Sequence, residues 1–126
     1  MNLLSGGKKR EIMLIPTAKL NKEQADLDDA FSTMIKARDN WQCQICGSDY
    51  KPCCHHIIPR EIKSLRYDEN NAITLCLSHH KFNRIISAHN APFAFFLWLR
   101  SFRPLFFDSA VGSLSKILSE NGITLK

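Results

Sequence analysis

Two pairs of metal-ligand residues frame the middle of this chain. Cys43-x-x-Cys46 and Cys76-x-x-His79 flank an adjacent pair, His55-His56, and His80 follows the second pair directly. Zinc takes four nitrogen or sulfur ligands in a tetrahedron, and two closely spaced pairs supply them at low loop-closure cost. Cys43, Cys46, Cys76 and His79 are therefore the expected ligands of a structural zinc. His80 is an alternative fourth ligand, but the spacing that repeats the first pair favours His79. Neighbouring side chains of a strand point to opposite faces, so His55 and His56 can serve one site only where the strand ends or twists, and Pro59 marks such an end. One of the two then ligates a catalytic cation while the other stays unliganded as a base. A free imidazole can accept a proton from water near neutral pH. A divalent cation beside it would stabilise charge developing on a phosphate oxygen and on the leaving oxygen.

Further residues fit around that chemistry. His80, Asn83 and Arg84 are three and four apart, so a helix there puts them on one face. That face offers a cation ligand (His80), a second polar group (Asn83) and a phosphate-binding cation (Arg84). Asn71 precedes the second expected strand, where its amide can orient His56 across the strand pair. His89 could also approach the cation, but capping the start of the next helix is the expected role. Cys53 and Cys54 have no assigned chemistry; one is expected to face the core, and both are candidate sites of oxidation.

The elements that must position these side chains follow from pattern. Residues 22–38 have an apolar stripe at steps of three and four (Leu27, Ala30, Phe31, Met34, Ile35), the helical period. Asp39-Asn40 ends that helix. Cys43 to Gly47 reads as a knuckle whose glycine tolerates a positive φ. Short strands are expected over 53–58 and 72–76, a charged loop over 60–70, and a helix over 77–86. Pro92 suits a first helical turn, and the apolar run Ala91 to Leu99 is expected to be a buried helix, being too short to span a bilayer. After Pro104 a second helix is expected over about 109–120. The aromatic cluster of 93–98 is read as core, with a homodimer contact through the C-terminal helices as the alternative. The expected class is α+β.

Composition narrows the partner. The chain has 126 residues, the size of one domain, with 17 Lys+Arg against 12 Asp+Glu and a net charge of +5. That balance favours an anionic partner, nucleic acid first among them. Arg60, Lys63, Arg66 and Arg84 lie nearest the histidine motif and are the candidate phosphate contacts. The metal-bearing segment spans only about fifty residues, short of core for a stable fold, and a structural metal is a common remedy. Met1 to Arg10 carries charges without the apolar stretch of a secretory signal. With five cysteines, an odd number, at metal-ligand spacing, a reducing, cytoplasmic setting is expected. Residues 1–20, with the basic trio Lys8-Lys9-Arg10, are expected to be a loosely held arm, and 21–126 one domain with its core motif at 38–90 and a helical extension at 91–126.

As an ordered set, Arg38-Asp39-Asn40-Trp41-Gln42-Cys43-Gln44-Ile45-Cys46-Gly47, then His55-His56-Ile57-Ile58-Pro59-Arg60, then Asn70-Asn71-Ala72-Ile73-Thr74-Leu75-Cys76-Leu77-Ser78-His79-His80, resembles the HNH (His-Me finger) endonucleases of the zinc-knuckle type. The resemblance covers about residues 31–90. It implies a ββα-metal finger in which two strands and a helix surround one divalent ion such as Mg²⁺ or Mn²⁺. It further implies His56 as general base, Asn71 as the residue that orients the base and braces the loop, and His55 and His80 as ligands of the catalytic ion. DNA would be the substrate, and a phage-like source is in keeping with so small a protein of this type. Two positions depart from the family pattern. His79 stands where many relatives have cysteine, and Arg84 stands where some carry one more metal-binding histidine, so that Asn83 beside it could be a weak ligand or water could complete the shell. The competing reading is a non-catalytic zinc module that binds nucleic acid or protein; it would keep the four zinc ligands but would not need His55, His56 and Asn71 together.

Overall fold

Strand alternation decides the centre of the fold. Strand β1 (Cys53–His56) pairs antiparallel with β2 (Ala72–Leu75), with Cys53 opposite Leu75, Cys54 opposite Thr74, His55 opposite Ile73 and His56 opposite Ala72. Opposed residues share a face. One face therefore carries Cys53, His55, Ile73 and Leu75, and the other Cys54, His56, Ala72 and Thr74. Every residue of β2 is buried, because both of its faces are covered. Both strands are shorter than expected. After His56 the chain turns away, with the Ile57 amide on the Asn71 carbonyl and Ile58 held by the Asn71 side chain.

The structure, a computed structural model, describes residues 17–125, with side chains from residue 21 onward. The chain divides into two units, 1–30 and 31–126. Helix α1 (Thr17–Arg38) begins five residues earlier than the apolar stripe suggests, so the last four residues of the expected arm are helical. The rest of that arm, including Lys8-Lys9-Arg10, lies outside the described residues. Within the first unit, positions 21–30 are exposed except for half-buried Asp28, and Lys22 pairs with Asp26 at 3.3 Å. An exposed pair of this kind contributes about 0.3–0.5 kcal/mol. The boundary at 30/31 coincides with the first buried side chain of the helix, Phe31.

In the second unit, Phe31 and Ile35 pack with Ala72 on one face of the sheet. Leu27 and Met34, although on the same sequence stripe, are exposed. The helix ends where Asn40 and Trp41 adopt φ of +58°. Asn tolerates that conformation. Trp41 does not without support, which comes from its amide on the Lys36 carbonyl at 2.8 Å and the Lys36 ammonium over its ring. Arg38 and Asp39 then fasten the helix end to β2. Arg38 forms a two-pronged pair with Asp39 and donates to the Glu69 and Ala72 carbonyls, while Asp39 accepts from the Thr74 amide.

The opposite face of the sheet meets α2 (Pro92–Phe102), whose Phe95 and Leu99 join Cys43, Ile57, Ile73, Leu75 and Cys76 in the larger core. Burying one such side chain fully stabilises by about 1.5–3 kcal/mol. Helix α2 is thus only half of the buried helix expected: Phe93, Phe96, Leu97 and Phe102 are exposed. The core is too small to surround it. Helix α3 (Pro104–Glu120) starts at Pro104, five residues before the expected 109, because proline needs no partner for an amide in the first helical turn. Phe106, Phe107 and Ala110 pack on the core from α3. Between the two helices Arg103 donates to the Gln44 side chain, joining their elbow to the knuckle. The structure is a mixed α+β arrangement with one two-stranded sheet among the described residues. No described helix is long and apolar enough to cross a membrane.

Candidate metal centres

The first centre is built from two turns. Cys43 and Cys46 sit on a loop closed by the Gly47 amide on the Cys43 carbonyl and the Cys43 amide on the Ser48 carbonyl; Gly47 has φ +79°. Cys76 directly follows β2, and the single wide helical turn Ser78–Phe82 brings His79 back over it. The four ligand atoms all lie within 4.8 Å of one another. An ideal zinc tetrahedron, with Zn–S of about 2.3 Å and Zn–N of about 2.0–2.1 Å, has S···S edges of about 3.8 Å and S···N edges of about 3.5–3.6 Å. Cys46 Sγ and Cys76 Sγ are 3.8 Å apart, Cys43 Sγ and His79 Nδ1 3.7 Å, and Cys76 Sγ and His79 Nδ1 3.4 Å. Cys43, Cys46, Cys76 and His79 can therefore hold a structural metal such as zinc, and His79, not His80, is the fourth member.

The electrostatics of the group agree. Burial pushes the Cys43 thiol up, but backbone N–H groups of Cys76, Cys46 and Ile45 aimed at its sulfur bring it below the usual range. Burial, with the neighbouring Cys43 and Cys76 thiols, pushes Cys46 up to about 11. Three thiolates this close cannot all form unless a cation lies between them. Burial also lowers His79, keeping its ring neutral and able to donate a lone pair.

The second centre gathers imidazoles. His55, on the α2 face of β1, meets His80 and His89 with ring centroids 5.1 Å away in each case. His80 and His89 have centroids 4.7 Å apart, and their Nε2 atoms are separated by 3.1 Å. Two nitrogens bound to one cation at about 2.0–2.1 Å lie about 2.9–3.4 Å apart, so this spacing fits a shared ion. Burial, against the edge of Phe95 among other groups, and the neighbouring His80 and His89 lower His55 to about 3, and burial lowers His80 to about 4. Both rings are neutral at physiological pH, the form that ligates metal. His80 Nδ1 is buried with no hydrogen-bond partner among the described residues. A buried orphan costs about 1–3 kcal/mol and calls for an unseen ion, water or functional role.

His89 is the residue whose approach to the site local reasoning set aside in favour of a capping role. It does not cap α2, whose N-cap is Ala91. The helical turn after His80 stops at Phe82, so the shared face expected of His80, Asn83 and Arg84 does not exist. Asn83 is no ligand: its Oδ1 accepts from the amides of Ile85 at 2.9 Å and Ile86 at 3.0 Å, which uses both lone pairs. The chain instead doubles back, with the Ala88 amide on the His79 carbonyl and the His89 amide on the His80 carbonyl. The signal available was a third histidine on a short loop with three polar residues, Asn83, Ser87 and Asn90, able to tie it shut.

His56 faces the other way. Its ring stacks on Phe31 with centroids 5.5 Å apart, and its Nε2 lies 2.8 Å from the Arg66 carbonyl oxygen. A carbonyl only accepts, so Nε2 carries the proton and Nδ1 keeps the lone pair. Asn71 was expected to orient His56 directly, but its side chain bonds elsewhere. It is buried, accepts from the Ile58 amide, and donates to the Ile58 and Leu65 carbonyls. It braces the loop that carries Arg66, and Arg66 in turn fixes the tautomer. The Arg66 guanidinium donates to the Arg60 carbonyl, whereas Arg60, Lys63 and Arg84 are exposed. Cys53 donates to the Lys51 carbonyl, and Cys54, which packs on the α1 side, is pushed up to about 11 by burial.

Compared with known protein families, characterised proteins and solved structures, the chain matches none.

Proposed function

We propose that this chain is a metal-dependent endonuclease of the HNH type, a ββα-metal finger that hydrolyses phosphodiester bonds in DNA. One observation carries the reading. His55 joins the imidazole cluster while His56, the last residue of β1, where the chain turns away, stays out of it, so the tandem pair is divided at a strand end into a ligand and an unliganded base. Neither belongs to the Cys43–Cys46–Cys76–His79 group. The order of two strands followed by a turn bearing a cation ligand, His80, supports the same architecture.

In this reading His56 Nδ1 takes the proton of the attacking water. The Arg66 carbonyl holds the ring so that only this nitrogen is available. Asn71 acts one step back, by holding the loop that presents that carbonyl. His55, His80 and His89 would hold the divalent cation, which when bound offers charge stabilisation to phosphate oxygens. Arg60, Lys63 and Arg84 offer cationic contacts to flanking phosphates, and the knuckle keeps β2 and the Ser78–Phe82 turn in register.

The test is plasmid cleavage by the zinc-loaded protein in Mg²⁺, Mn²⁺, Co²⁺ or Ni²⁺, with His56→Ala beside wild type. General-base loss costs about 10²–10⁴-fold in rate, with zinc content unchanged and the melt lower but still cooperative, since only the stack on Phe31 and the bond to the Arg66 carbonyl go with the ring. A wild type inert in every metal yet still binding DNA would instead establish a non-catalytic zinc module.

A further inference from the structure

The loop between His80 and His89 has a second property that cation binding does not require. Its interior is tied by polar contacts. Asn83 caps the Ile85 and Ile86 amides. The buried Ser87 hydroxyl donates to the Asn83 carbonyl at 2.8 Å and accepts from the Asn90 and Ala91 amides. Asn90 donates to the Phe82 carbonyl at 3.2 Å. This frame holds Phe82 64% and Ile85 82% exposed, with exposed Lys81 and Arg84 interleaved. Single exposed apolar residues are ordinary. A phenylalanine set between two cations and two residues from a cation ligand, with an isoleucine just beyond, on a tip tied by hydrogen bonds, is a different pattern.

Charge selects the occupant. From Asn70 to Phe107 the sequence contains no Asp or Glu, while it contains Lys81, Arg84, Arg100 and Arg103. A two-fold contact with a second copy through this tip would set Lys81 and Arg84 against their own equivalents, with no carboxylate in this stretch to relieve them. Cations that flank an exposed aromatic ring instead match a polyanion with flat apolar faces. We propose that the 81–86 tip is a base-stacking element: Phe82 stacks on an unpaired nucleotide beside the scissile phosphate, Ile85 packs against its neighbour, and Lys81 and Arg84 meet the adjoining phosphates. This deepens, and rests on, the nucleic-acid reading above, and it names the preferred substrate as single-stranded or locally unpaired DNA. In an intact duplex the ring would first have to separate stacked bases, which costs a few kcal/mol per step.

The test measures binding of the zinc-loaded full chain, without added Mg²⁺ or Mn²⁺, by fluorescence anisotropy. The probes are a labelled single strand, its perfect duplex, and the same duplex with an internal unpaired stretch. Wild type should prefer the two unpaired forms. Phe82→Ala should weaken them by about 5–150-fold, the range for loss of one base–aromatic stack, and leave the perfect duplex nearly unchanged. Arg84→Ala should lower the slope of log K against log salt by about 0.7 on the single strand. Equal affinity of Phe82→Ala and wild type for every probe overturns the proposal. So does tight binding to phosphatidylserine vesicles, or a concentration-dependent dimer, that Phe82→Ala abolishes while DNA binding persists. Cleavage that depends on His56 but ignores Phe82 sinks the stacking element and leaves hydrolysis standing. Phe82-dependent binding by a chain that cuts nothing does the reverse.

Discussion

Asn71→Ala is the sharpest test of how the site is held. The side chain is 4% exposed and makes three hydrogen bonds, from the Ile58 amide at 2.8 Å and to the Ile58 and Leu65 carbonyls at 2.9 and 3.2 Å. Alanine removes all three at once. Ile58 is itself buried, so its amide and carbonyl lose their partners with little access to water. Two such groups at about 1–3 kcal/mol each give a loss of about 2–6 kcal/mol. The Leu65 carbonyl is partly exposed and adds less. Small domains have about 5–15 kcal/mol in hand, so the variant should fold but unfold at much lower denaturant. Urea unfolding of the zinc-loaded protein, followed by tryptophan fluorescence, should show a lower midpoint with an unchanged slope. Asn71→Asp should fail as well, because a carboxylate keeps the acceptor for the Ile58 amide but turns negative oxygen toward two carbonyls. A loss under about 1 kcal/mol for Asn71→Ala would refute the bracing role. His56 would then owe its orientation to something other than the loop it meets at Arg66.

Cys46→Ser should release the metal of the first centre, seen as loss of one zinc equivalent by elemental analysis, and should broaden or abolish the cooperative melt of residues 31–125, since ligation and folding are linked. His89→Ala should leave that zinc in place but abolish a second, weaker equivalent of Ni²⁺ or Co²⁺ in equilibrium dialysis; an all-imidazole set favours these ions over Mg²⁺, and unchanged stoichiometry would remove His89 from the site. Alkylation with iodoacetamide at mildly basic pH should spare Cys43, Cys46 and Cys76 until a chelator is added, with Cys54 slow throughout because burial pushes its thiol up to about 11; labelling of all five cysteines at one rate would contradict both assignments.

Much of this organisation is legible in the sequence. The Cys-x-x-Cys and Cys-x-x-His spacings placed four ligands because a turn of that length brings its ends together whatever the rest of the chain does. Pro92 marks a helix start through its fixed φ, whereas Pro104 reads only as a break and opens the next helix itself; the two strands show as short runs with β-branched or histidine residues. These are local rules, and the elements they govern are local. They overreached where burial was needed to decide. Leu27 and Met34 have the right period on α1 but are exposed, and of the run 91–99 only Phe95 and Leu99 are buried, with Trp98 packed against them.

What the chain determined by itself is which residues can coordinate, cap and alternate. Tertiary structure decided which of them meet. His55 and His56 are equivalent by type and diverge only because one face of β2 is covered by α1 and the other by α2. His89 enters the cluster, and Asn83 leaves it, because the helical turn stops at Phe82 and hydrogen bonds to the His79 and His80 carbonyls fold the chain back. Periodicity cannot foresee such a return, since its energy comes from partners outside the repeat.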